Sequence, residues 1–237
     1  MRGGARRYLR LVGEHAAKND AEALWMLGVA YEDGFRDANG RQALAPDRRR
    51  AVALYRRAAS LGHVEAILAS ALCQGANTGS RRGMKIAMRL ERRAVAMGSS
   101  TAAYNLGVSH KMVRNYRAAA RWFAIAARMG DPSALLELAK AQLLGVGCRR
   151  DVAGGLRKLA VVARTRELSL ADREEACILL ARTYLDGWLV RRSLNIAARW
   201  LEFGHQIGGD LAAAYLADLR AWQSAATGPP AVPSDRA

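Results

Sequence analysis

Ala23-Leu24-Trp25-Met26-Leu27-Gly28-Val29-Ala30-Tyr31 decides how this chain is read, because it comes back as Ala102-Ala103-Tyr104-Asn105-Leu106-Gly107-Val108-Ser109-His110. Weaker copies begin at Ala66, Ala134, Ala176 and Ala213, so successive copies start 43, 36, 32, 42 and 37 residues apart. Self-similarity in this size range predicts a solenoid, in which each unit buries its apolar face only against its neighbours. Arrays of this kind hold other molecules more often than they do chemistry.

The first copy shows the unit best. Asp20 stands where its carboxylate can accept an orphan backbone N–H at the start of a helix beginning at Ala21. This helix A runs to about Tyr31, with Ala23, Leu27, Ala30 and Tyr31 on one stripe, and Gly34 stops it. Phe35 to Pro46 reads as a loop, and its length explains the long first period. Asp47 then caps a helix B whose apolar stripe is Ala51, Leu54, Tyr55, Ala58 and Ala59, with Gly62 just past its end. The same order returns as Ala87, Leu90, Ala94 and Gly98, then as Ala119, Trp122, Phe123, Ala126 and Gly130. It returns loosely around Leu159 and Leu201. Gly28, Ala71, Gly107, Ala139 and Ala181 are all small, as two helices crossing within roughly 8–10 Å require.

Ala-x-x-x-Leu-Gly-x-x-Tyr, the Gly145-Val146-Gly147 turn, an Asp before helix B and a closing Ala-Ala-x-x-Gly resemble the Sel1-like repeat, a variable-length relative of the tetratricopeptide repeat. The resemblance covers roughly residues 20–210 and departs most in the second copy, where Ser70 and Ala71 replace Leu-Gly. It implies an all-α fold: an α/α superhelical solenoid of about five helical hairpins with end-capping helices. It also implies a non-enzymatic, protein-binding role, including signalling adaptors and bacterial proteins of secretion or interbacterial competition. Residues 1–19 read as an N-terminal capping helix, 20–210 as the solenoid, 211–222 as a C-terminal capping helix and 223–237 as a disordered tail.

Composition agrees with an all-α chain. Alanine is abundant, and three of the five prolines (Pro229, Pro230, Pro233) sit at the end. No apolar run approaches the ~20 residues of a membrane span. Cys73, Cys148 and Cys177 are odd in number and far apart, which suits a reducing compartment and no disulfide framework. The expected location is the cytoplasm. The Arg-rich start, free of acid until Glu14, keeps a transit peptide and the mitochondrial matrix open as the alternative.

The formal charge is +16, carried by 37 basic residues of which only Lys18, Lys85, Lys111, Lys140 and Lys158 are lysine. Such an excess predicts attraction to an anionic partner, either an acidic protein surface or nucleic acid. A GC-rich genome gives the same arginine bias. His15, His63, His110 and His205 fall at different phases of the repeat, His63 and His205 near helix B ends where an imidazolium suits the dipole. No metal-ligand spacing, phosphate loop or nucleophile–base set emerges, so no catalytic residue, metal or cofactor is expected.

Two surfaces are expected instead. Helix A of each hairpin should line a concave groove, presenting Trp25, Val29, Tyr104, Val108, Lys111, Lys140 and Arg182 to an extended segment or helix of another protein. Leu68 and Leu72 belong to the same line. Trp25 and Tyr104 also fit a role inside the inter-repeat core. Helix B should carry a basic ridge that includes Arg56, Arg57, Arg89, Arg92, Arg93 and Arg121. The leading expectation is therefore an adaptor, of which a bacterial immunity or regulatory protein is one form. The alternative is a basic architectural subunit of an RNA-containing particle such as an organelle ribosome.

Overall fold

A computed structural model of the protein describes residues 4–78 and 80–227, of which 75–78 and 225–227 are described by backbone alone. In chain order the described elements are α1 (Gly4–Ala17), α2 (Ala21–Asp33), β1 (Phe35–Arg36), β2 (Gln42–Leu44), α3 (Arg48–Ser60), α4 (Val64–Thr78) and α5 (Arg81–Ala96). They continue as α6 (Ser100–Met112), α7 (Tyr116–Arg128), α8 (Pro132–Leu144), α9 (Val152–Arg164), α10 (Leu170–Asp186), α11 (Leu194–Gln206) and α12 (Asp210–Thr227). The fold is all-α, and within the units α2/α3, α4/α5, α8/α9 and α10/α11 pack as A/B pairs of the repeat.

The helices start where the sequence places their caps. Asp20 accepts the Ala23 N–H at 3.1 Å, Asp47 that of Arg50 at 3.0 Å, Ser80 that of Gly83 at 3.0 Å and Ser99 that of Ala102 at 3.2 Å. Each such bond contributes about 1 kcal/mol. All the B helices but α9 end on a left-handed glycine, seen at Gly62 with φ 93°. A side chain there would clash with its own backbone, so glycine closes the hairpin-to-hairpin turn.

The chain divides into two units, Met1–Asn115 and Tyr116–Ala237. In the first unit, α1 contributes Val12 and Ala16 to a core shared with Ala23 and Leu24 of α2, Ala58 and Ala59 of α3 and Ile67 of α4. In the second, Leu136 and Leu143 of α8, Leu159 and Val162 of α9 and Cys177 and Leu180 of α10 form one cluster. Ala181, Leu201, Leu216 and Leu219 join α10, α11 and α12 in another. Full burial of a leucine contributes roughly 1.5–3 kcal/mol, so these short stripes, not helix propensity, hold the hairpins together.

Three local features differ from the sequence expectation. Within 35–46 the chain pairs Phe35 with Leu44 in a short antiparallel ribbon. Asp37 organises its tip by accepting the N–H groups of Asn39 and Arg41, both at 2.9 Å, and Phe35 stacks on Tyr8 of α1 at 5.3 Å. The final helix continues through Gln223 to Thr227, because Gln, Ser and Ala there carry no helix-breaking group; the rest of the expected tail lies outside the described residues. Lastly, the His63 side chain does not serve the end of α3, where only its backbone N–H donates, to the Ala58 carbonyl at 3.1 Å. Its Nδ1 accepts the Ala66 N–H at 3.2 Å and so caps α4, which requires an unprotonated Nδ1 and leaves Nε2–H to donate to Glu22 at 2.9 Å.

Candidate partner-binding surfaces

In the first unit the expected groove residues divide by environment. Trp25 is half-buried and stacks on His63, with ring centroids 5.1 Å apart and planes 20° from parallel, so it belongs to the contact between α2 and the start of α4. Val29 and Tyr104 are half-buried on α2 and α6, and Lys111 is exposed in the last turn of α6. Val108 meets Leu68 and Leu72 of α4 at a pocket of about 380 Å³ bounded by α4, α5 and α6. Its rim is apolar and accessible: Leu72 is 68% exposed and Met112 65%.

In the second unit Lys140 of α8 does not stand free toward solvent. Its ammonium donates to Glu137 at 3.0 Å and to Glu175 of α10 at 2.6 Å. Burial works against the charge, but the two carboxylates outweigh it, and the Lys140 pKa is raised. Lys140 therefore fastens two A helices to each other. Arg182, on the same helix as Glu175, is exposed.

The ridge residues are all exposed: Arg56 and Arg57 on α3, Arg89, Arg92 and Arg93 on α5, and Arg121 on α7 in the second unit. Arg56 and Arg93 border one shallow depression, with Ser60 and Leu90 between them. Arg57 instead donates to the Asn19 side chain at 2.7 Å, tying α3 to the turn after α1. A second cationic feature lies on α9 and α11, where the Arg164 guanidinium sits 4.7 Å from the Trp200 ring centre and 5.7 Å from that of Phe203.

Two buried polar residues went unread in the sequence, Glu91 and Ser109, which face each other across α5 and α6. The signal was present: an acid occupies a stripe position that holds Tyr55 or Phe123 in neighbouring copies. Among the described residues no group of three or more His, Cys, Asp or Glu side chains could hold a metal ion. No helix among them is long and apolar enough to cross a membrane.

This succession of capped hairpins with small residues at the crossings has a match among protein families. The Sel1 repeat model matches residues 21–63, 100–131 and 174–203. Those three segments are Sel1 repeats. A Sel1 repeat protein from Oxalobacter formigenes shares the fold with TM-score 0.68 and 22% identity, over 86% of this chain and 80% of that one. So does c5321, a protective antigen of uropathogenic Escherichia coli strains with the same repeat fold, at TM-score 0.67 and 20% identity. That likeness spans 97% of this chain and 53% of the antigen. No curated protein matches the chain. The matched Sel1 segments contain α2, α3, α6 and α7 but leave out all of α4 and α5, the hairpin that bears Glu91. Sel1 repeat proteins generally mediate protein–protein interaction.

Proposed function

We propose that the protein is a non-enzymatic adaptor that holds a partner protein along its A helices. One observation carries this reading: α4 and α6 leave an open apolar depression whose rim exposes Leu72 and Met112, large side chains that gain by leaving water. The basic surface and the charge of +16 favour a partner with an acidic face, which would also speed its approach. The three cysteines are free thiols, as a reducing cytoplasm would keep them. Masking of a toxin by an immunity or regulatory protein is one form such an adaptor takes.

The test is capture of partners on the tagged chain, with and without nuclease, beside Leu72→Glu and Lys111→Glu variants whose helical signal is intact. A protein retained by the parent through nuclease treatment and lost by both variants supports the groove. Retention by the variants overturns it.

A second reading, a basic subunit on an RNA-containing particle, draws support from Arg56 and Arg93 flanking one depression on successive B helices. It predicts partners lost on nuclease treatment. It also predicts affinity that falls steeply with salt, and charge reversal at Arg56, Arg92 and Arg93 that weakens binding while groove changes do not.

A further inference from the structure

The second hairpin breaks the register of the B helices. Tyr55 on α3, Phe123 on α7, Leu159 on α9 and Leu201 on α11 hold one repeat position, and all four are buried. On α5 that position is Glu91, which is only 6% exposed. Glutamate supplies less volume than an aromatic ring, and the small residue opposite, Ala71, does not make up the difference. Beside Glu91 lies the 380 Å³ pocket, walled by Leu68, Met84, Ala87 and Val108.

The carboxylate at the pocket wall is short of partners. Among the described residues its one hydrogen-bond donor is the Ser109 hydroxyl, 3.2 Å from Oε1 and 3.1 Å from Oε2. An ionised carboxylate offers about four acceptor positions. Burial pushes the Glu91 carboxyl above the ordinary carboxylate range, against the opposing pull of the Ser109 bond and of Arg92. The pocket thus combines an apolar wall with a buried acid, in a chain that is otherwise strongly basic.

We propose that this pocket receives a lysine or arginine side chain from the partner protein, the aliphatic stem lying against Leu68, Met84 and Val108 and the cationic head meeting Glu91. Charge complementarity selects that occupant. An apolar side chain would strip water from Glu91 and give nothing back, and an acidic one would meet like charge. A long cationic side chain satisfies both halves of the site, because its methylenes are as apolar as the wall. The exposed Leu72 and Met112 then contact the backbone from which the inserted side chain projects. The inference deepens the adaptor reading and rests on it for the source of the side chain.

The test titrates N-acetyl-lysine methylamide into the isotope-labelled full chain, following the amide signals of Val108, Ser109 and Met112. The norleucine analogue, which keeps the stem and lacks the charge, and n-butylammonium run in parallel. Saturable shifts with the lysine compound, at least about tenfold weaker with norleucine, support the proposal. Glu91→Gln should weaken lysine binding by a similar factor. Val108→Trp, which narrows the mouth and leaves Glu91 in place, should abolish it. Equal binding of norleucine, or unchanged lysine binding in Glu91→Gln, overturns the proposal in favour of a plain apolar slot. Binding of butylammonium without the capped lysine overturns it in favour of a free-amine site. Lysine binding that persists while partner capture fails would strike the adaptor reading alone.

Discussion

The ring of Tyr55 lies directly over Gly28, so close that a Cβ added to Gly28 would stand 2.6 Å from Tyr55 Cε1. Tyr55 is also fixed from its far end, where its hydroxyl donates to Glu32 at 2.6 Å. The ring therefore cannot swing away to admit a larger residue on α2. Gly28→Val should destabilise the first unit by about 1–3 kcal/mol, the usual cost of overpacking. Urea unfolding of Gly28→Val and of the Gly28→Val/Tyr55→Leu pair checks this, and the shorter second side chain should restore much of the loss.

Glu91 should make stability fall as pH rises. Its pKa is raised by burial, so the folded state holds the proton more tightly than the unfolded chain does. The favourable effect is whole below the ordinary value near 4.5 and is lost as pH climbs through the raised folded-state value. Glu91→Gln removes this dependence while keeping an acceptor for Ser109. At pH 7 it should be more stable than the parent by about 1 kcal/mol, the scale of a buried group short of partners. The difference should vanish toward pH 4. Paired denaturation curves across that range decide it.

Lys140 should behave as a structural residue. Lys140→Met keeps the stem but leaves Glu137 and Glu175 facing each other without the shared ammonium. A loss of about 1–2 kcal/mol is expected, smaller than for a fully buried pair because the Lys140 and Glu175 side chains keep 26% and 46% of their exposure. The raised pKa places this contribution below the ordinary lysine value, with its loss at alkaline pH as the folded-state value is passed. Thermal melts at pH 7 and pH 11 should show the parent, not the variant, losing this increment.

His63 carries a cap and an aromatic contact that can be separated. His63→Ala removes the acceptor for the Ala66 N–H and the ring against Trp25, and should cost about 1–2 kcal/mol. His63→Asn restores an acceptor at the cap position and should recover part of that loss. Equal stability of the two variants would remove the cap from the account.

Cys177 should resist modification in the folded protein. It is fully buried, and burial pushes its thiol up to about 11. Burial also raises Cys73 and Cys148, which are partly accessible. A disulfide reagent at pH 8 should label those two slowly and Cys177 only as the second unit unfolds. Peptide mapping of the labelled chain distinguishes the sites.

The sequence made the hairpins legible because their signals are local: an Asp or Ser cap, a stripe at helical spacing, a glycine after the last turn. The same locality explains what it concealed. The ribbon from Phe35 to Leu44 depends on pairing across a long loop and on Tyr8 from another helix. Lys140 looked like a groove cation because Glu175 is distant in sequence and reaches it only once α8 and α10 lie side by side. His63 could be placed between two helices by spacing, but which of them it serves depends on ring orientation. Glu91 was hidden by habit of pattern: an acid inside an Arg-rich helix reads as surface until its neighbours in the other copies are compared.

Glu174 of α10 reaches past α11 and accepts the Ala212 N–H at 2.8 Å, so the first turn of α12 is closed by a side chain 38 residues away. A terminal helix capped by its own preceding residue can fray alone, whereas this one is latched to a helix two places back. Its opening therefore costs a bond to α10. Amide protons at the start of α12 should exchange with the slower rhythm of α10 and α11, making the last three helices one cooperative block at that end of the chain.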